Sequence, residues 1–200
     1  MHVGIPCSTW SLLARMNGSS RSAACPDGAR PFTRKDAESW TLADRTASLC
    51  LALHVVGGIY TIENPAESLV FVCSPFTALK QAAPWIEVQF DQCCYGLRPP
   101  SAAPGEFIRK RTKLVTNHDA FQQLARACPG ISKHHQHVHA LGSRKEPGPS
   151  GLRTVSVAFS AGRYPSALCE ALASIVMTTT TPITTPARTQ VPPDTPRRAR

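Results

Sequence analysis

Ser48-Leu49-Cys50-Leu51-Ala52-Leu53-His54-Val55-Val56-Gly57-Gly58-Ile59-Tyr60-Thr61-Ile62-Glu63-Asn64-Pro65 carries an apolar helix into a strand across two glycines. The helix extends back to Asp36, with Trp40 near its start and Leu42, Leu49, Leu53 and Val56 on one stripe. Gly57-Gly58 stops it, as glycine does at helix C-termini. Ile59 to Ile62 is rich in β-formers and closes on Glu63-Asn64-Pro65. Working outward, Val3 to Pro6 reads as the end of a short strand and residues 16–34 as a flexible Gly/Ser/Arg loop. Phe76 to Ala83 reads as a short helix. Trp85 to Phe90 is a strand in which Ile86, Val88 and Phe90 alternate with polar residues. Thr112 to Thr116 is another strand, and His118 to Ala127 a helix. The last helix, Arg163 to Met177, turns Leu168, Leu172, Ile175 and Val176 inward. Strands alternating with helices predict an α/β domain with a mostly parallel sheet. Ligands of such sheets sit beyond the carboxyl ends of the strands. That directs attention to Pro6-Cys7, Glu63-Asn64-Pro65 and Cys93-Cys94-Tyr95-Gly96.

The 200 residues carry 22 basic and 13 acidic side chains, a formal charge of +9. This balance excludes an acidic solvating chain and favours a polyanionic partner. No apolar run is long enough to span a bilayer, so no membrane partner is expected. The first 20 residues lack a basic start followed by an apolar core, which predicts no signal peptide and an intracellular location. In that setting the eight cysteines read as thiols, ligands or a nucleophile rather than disulfides. Thr178 to Arg200 holds eight Thr, five Pro and no aromatic residue, the composition of a disordered tail. The folded domain is thus placed at 1–177 and the tail at 178–200.

Gly4-Ile5-Pro6-Cys7-Ser8-Thr9-Trp10-Ser11 puts a thiol in a tight turn at a strand end, where nearby backbone N–H groups favour a nucleophilic thiolate. A buried small residue beside proline would give the same local pattern. Glu63-Asn64-Pro65, at the end of the next strand, brings a carboxyl to the same crevice. Together these residues resemble the Pro-Cys loop and the Glu-Asn pair of the DNA cytosine 5-methyltransferases. Tyr95-Gly96 followed by Arg109-Lys110-Arg111-Thr112 resembles that family's later segment. The resemblance implies a Rossmann-like sheet with flanking helices, a DNA substrate and hence a nuclear place of work, and S-adenosylmethionine as methyl donor. It implies that Cys7 adds to carbon 6 of a flipped-out cytosine while Glu63, beside Asn64, engages the ring at N3. Arg109 and Arg111 would be supporting groups. Flipping is required because the ring atom is out of reach inside a duplex. Ser8 stands where the family has Gln and Pro65 where it has Val, and the family's Gly-rich cofactor loop is not found. The expectation is therefore a partial sheet, the base-side half of a methyltransferase without its cofactor half, belonging to a longer gene product.

A second pattern is similar to methyltransferase-like segments of mobile-element polyproteins in algae and other protists. It runs through Phe90-Asp91-Gln92-Cys93, Tyr95-Gly96, Thr112 to Asn117, Cys128, a histidine cluster, Leu141-Gly142, Tyr164-Pro165 and Leu168-Cys169. Five of the seven histidines lie between His118 and His139. Zinc takes sulfur and nitrogen ligands tetrahedrally, and His-x-His puts two imidazoles on one side of an extended segment. Cys128, His135 and His137, with Cys93 or Cys94, form a candidate closed zinc site; a polar surface loop is the competing reading. Arg98, Arg109, Lys110, Arg111 and Lys113 stand against Glu106 alone in one stretch, a composition suited to phosphate contacts or to a solvated loop. A non-catalytic, zinc-stabilised nucleic-acid-binding module is thus the alternative to the enzyme.

Overall fold

The computed structural model describes residues 1–11, 16 and 18–179. Four strands form the central sheet: β1 (His2–Gly4), β2 (Thr61–Pro65), β3 (Ile86–Asp91) and, after the two-residue β4 (Glu106–Phe107), β5 (Arg111–Thr116). Their spatial order is β1-β2-β5-β3. β1 and β2 run parallel with Gly4 opposite Glu63, whereas β5 is antiparallel to both of its neighbours. The fold is mixed α/β, and the expectation of a mostly parallel sheet is corrected: one pairing of three is parallel. Residue periodicity reports which face a side chain takes, not which way a strand runs, so β5 looked no different from the others.

Helices cover both faces. On one side lie α1 (Arg34–Val55) and α2 (Ser74–Ala82), burying Trp10, Ala43, Cys50, Ile62, Phe76 and Val115. On the other, α4 (Ser166–Thr179) and a 3-10 turn at Asp119–Leu124 bury Val88, Phe90, Leu114, Phe121, Leu168 and Ile175. Consecutive Leu114 and Val115 thus serve opposite layers, as the pleat demands. Thr33 caps α1 by accepting from the Asp36 N–H at 3.1 Å, and Gly57, at φ 75°, ends it by donating to the His54 carbonyl.

The face of α1 differs from the predicted stripe. Ala43, Thr46, Ala47 and Cys50 are buried, while Leu42, Leu49 and Val56 are exposed. Small side chains let α1 approach the sheet and α2 closely, and that contact outweighs the larger apolar residues one position round the helix. Residues of the expected 16–34 loop are likewise packed: Arg21 is 1% exposed and ion-paired with the fully buried Asp36 at 2.8 Å. The expected helix at 118–127 is the shorter 3-10 turn at Asp119–Leu124.

A two-residue strand β6 (Gln136–His137) pairs with β4, and β7 (Ser143–Gly148) forms a hairpin with β8 (Gly151–Ser156), followed by the single turn α3 (Val157–Ser160). No helix among the described residues is long and apolar enough to cross a membrane. Of the expected tail, Thr178 and Thr179 belong to α4, and 180–200 lie outside the described residues.

Candidate functional site: a thiol–carboxylate cleft and a metal cluster

Because β1 and β2 are adjacent and parallel, their carboxyl ends open on one side. There Cys7 and Glu63 line a cleft of about 220 Å3 together with Gly4, Pro6, Lys110 and Tyr164. Cys7 opens a 3-10 turn, and its carbonyl accepts from the Trp10 and Ser11 N–H groups. Behind the turn Trp10 is completely buried, with the Arg21 guanidinium 3.5 Å from its ring centroid. Ser19 and Arg21 both donate to the Thr9 carbonyl. A buried ion pair therefore anchors the turn that presents the thiol.

Glu63 is 7% exposed. Its Oε2 accepts from the Tyr164 hydroxyl at 2.8 Å, and Lys110 Nζ stands 3.7 Å from Oε1. Burial, and then the adjacent carboxylate, push the Tyr164 hydroxyl pKa up, so it remains a donor. A Cβ on Gly4 would lie 3.0 Å from that hydroxyl oxygen, so glycine is what lets Tyr164 reach Glu63 across β1. Asn64 lies outside the cleft: it donates to the Ile5 carbonyl at 2.7 Å and so ties β2 to the segment leading to Cys7.

Arg109 and Arg111 point the other way. Both guanidinium groups approach the buried Asp91, at 3.5 and 3.9 Å. Lys110, between them in an extended segment, is the cation that faces Glu63. Alternation within Arg109-Lys110-Arg111 carried that information; the resemblance alone drew attention to the arginines. Tyr164 lies 101 residues from Glu63, and no local signal placed it here.

The second centre lies around the end of β3. Cys93, Cys128, His135 and His137 bring one ligand atom each to within 4.8 Å of one another. Cys128 Sγ is 3.5 Å from His135 Nε2 and 3.4 Å from His137 Nε2, and the two imidazole nitrogens are 3.0 Å apart. A tetrahedral zinc site has N···S edges of about 3.6 Å and N···N edges of about 3.3 Å, from its bond lengths. The donor set fits a metal ion. Cys93 completes it; Cys94 packs instead against the apolar cluster beneath α4. Burial, with Cys128 beside it, pushes the Cys93 thiol up to about 12, and a bound cation reverses such a shift by taking the thiolate. The Asp91 carboxylate accepts from the Cys128 N–H at 2.9 Å, and Phe107 stacks on His135 at 4.4 Å. Asp91 thereby joins the cluster to Arg109 and Arg111.

For S-adenosylmethionine the fit is poor. The turns after β1 and β2, Ile5-Pro6-Cys7 and Ala66-Glu67-Ser68, contain no glycine. Neither is the Gly-rich strand-to-helix turn that cradles a nucleotide-like cofactor. Compared with family models, curated proteins and solved structures, the chain has no significant match.

Proposed function

We propose that the chain is a nucleic-acid-binding domain of the cytosine 5-methyltransferase type that captures an extruded cytosine between Cys7 and Glu63, and that zinc in the Cys93–Cys128–His135–His137 cluster holds its outer loops. The observation that carries the reading is the convergence of Cys7 and Glu63, 56 residues apart in sequence, on one cleft at the ends of adjacent parallel strands. Glu63 Oε1 is buried without a hydrogen-bond partner, which leaves an acceptor for the amino N–H beside N3 of the base. Lys110 and Tyr164 hold the carboxylate in place. The chain's charge of +9 suits a polyanion.

The chemistry assigned to these residues is base-side only. The Cys7 thiolate adds to carbon 6 of the ring, carbon 5 takes a proton from water, and loss of a proton from carbon 5 with expulsion of the thiolate restores cytosine. The cycle ends at hydrogen exchange, since the turns after β1 and β2 lack the glycines of a methyl-donor cradle. The cycle predicts exchange of the carbon 5 hydrogen. An oligonucleotide bearing 5-tritiated cytosine should release tritium to water with the full chain, and Cys7→Ala should abolish it. Glu63→Gln should lower the rate by about 10²-fold or more. Release that survives Cys7→Ala, or wild-type release no greater than background, overturns the reading. The zinc assignment predicts one zinc per chain, lost in Cys128→Ser.

A further inference from the structure

Beside the base cleft, with Tyr164 as the shared wall, lies a second and more polar cleft of about 450 Å3 that the proposed capture chemistry does not use. Three features of it converge on an anion. Arg98 and Arg163 line it, and neither makes an ion pair or side-chain hydrogen bond among the described residues. Their guanidinium groups rest on the rings of Phe107 and Phe159, at 4.7 and 5.3 Å, which orients them without consuming their N–H groups.

The second feature is the start of α4. The Pro165 carbonyl accepts from the Leu168 and Cys169 N–H groups, so Pro165 occupies the cap position and offers no side-chain acceptor. The N–H groups of Ser166 and Ala167 have no partner among the described residues, both residues line the cleft, and the first turn carries no acid. A 14-residue helix presents its positive end there. Third, Ser160 lines the same cleft, is 9% exposed, and its buried hydroxyl has no hydrogen-bond partner. The one acid in the wall, Glu146, is engaged by Arg153, whose Nε donates to it at 2.9 Å.

We infer that this cleft is a phosphate site, and that its ligand is a backbone phosphodiester of the polynucleotide whose base enters the Cys7–Glu63 cleft. The inference rests on the base-capture reading for the identity of the ligand but not for the existence of the site. A strand crossing Tyr164 would place a base on one side and a phosphate on the other. Two guanidinium groups, two backbone N–H groups and a hydroxyl supply the donors that phosphate oxygens take.

The test has two arms. In the first, inorganic phosphate is titrated into the full chain and backbone amide resonances are followed. Ser160, Ser166 and Ala167 should shift, and the Arg98→Gln/Arg163→Gln double variant should not respond. In the second, binding of a cytosine-containing single strand is measured against salt. The double variant should bind about tenfold more weakly at low salt, with the slope of log K against log salt reduced by roughly 1. Ser166→Asp, which places a carboxylate where the phosphate would sit and stabilises the helix start, should give the same loss with no fall in melting temperature. Unmoved amides overturn the site. Amides that move while the slope stays constant overturn the phosphodiester assignment in favour of free phosphate. A wild-type chain that responds to phosphate but releases no tritium keeps this site and removes the base-capture reading.

Discussion

The turn that presents Cys7 and the loop that presents Cys128 are held in place in different ways. Behind Cys7 stand Trp10 and Asp36, neither with any exposed surface, and Arg21 at 1%. Every contact there is made by the chain itself. Around Cys128 little is buried: Ile131 and Leu141 are 69% and 77% exposed, and β4–β6 is a ladder of two residues. What converges in that region is a set of four side chains, Cys93, Cys128, His135 and His137, able to share one metal ion. The first site is a product of the core, and the second, with little core around it, has the donor set that a metal ion would hold together.

The largest effect expected from this contrast is on metal removal. Structural zinc contributes about 10–16 kcal/mol of binding free energy in small finger peptides. Chelation should therefore strip hydrogen-exchange protection from residues 128–139 while the amides of β2, β3 and β5 keep theirs. Protection that persists in 128–139 after chelation would break the contrast. Next is the pair behind Cys7. Arg21→Ala leaves the Asp36 carboxylate buried without its cation and should cost about 3–5 kcal/mol in denaturant unfolding. An Arg21→Met/Asp36→Leu double variant should lose less than either single truncation. Metal should make no difference to either number.

Acid acts on the same pair. Burial alone would raise the Asp36 pKa, but hydrogen bonds from Ser19, Ser20 and Thr33 outweigh it, and the pKa is lowered. A carboxyl with a lowered folded value adds stability that is complete above its unfolded pKa and is lost as pH falls through the folded one. Stability of the Cys7 side should thus hold to about pH 4 and decline below it. An Asp36→Asn variant, already destabilised, should show a shallower decline; an identical acid profile would remove Asp36 from the account.

Much of the framework was legible because local signals and tertiary structure agree. Gly57 stops α1, Asp36 lies in its first turn, and Val88 and Phe90 alternate as a half-buried strand must. The cluster was legible too, since Cys128, His135 and His137 lie within ten residues; only the choice of Cys93 over Cys94 needed the 3-10 turn after β3. Arg21 was hidden because a Gly/Ser/Arg-rich stretch reads as solvated, and nothing local reveals an ion-pair partner 15 residues away. The β7–β8 hairpin was hidden because Ser143–Gly148 is polar and contains a proline, against strand propensity. The α1 stripe misled because size suggested Leu42 and Leu49, while close packing selected Ala43 and Ala47.

The smallest effect is the most informative about the cleft. Tyr164→Phe removes one hydroxyl that donates to Glu63 and keeps the ring that separates the two clefts. It should cost only about 1 kcal/mol of stability, the usual net value of one hydrogen bond. Tyr164 touches Glu63 rather than the proposed base, so it acts as a positioning residue. Its loss should slow tritium release while leaving the salt slope of oligonucleotide binding unchanged, because no phosphate donor is removed. Arg98→Gln/Arg163→Gln should do the reverse, weakening binding while release from saturated protein persists. If Tyr164→Phe altered the slope as strongly as the arginine variant, the two clefts would be one site, and the division at Tyr164 would fail.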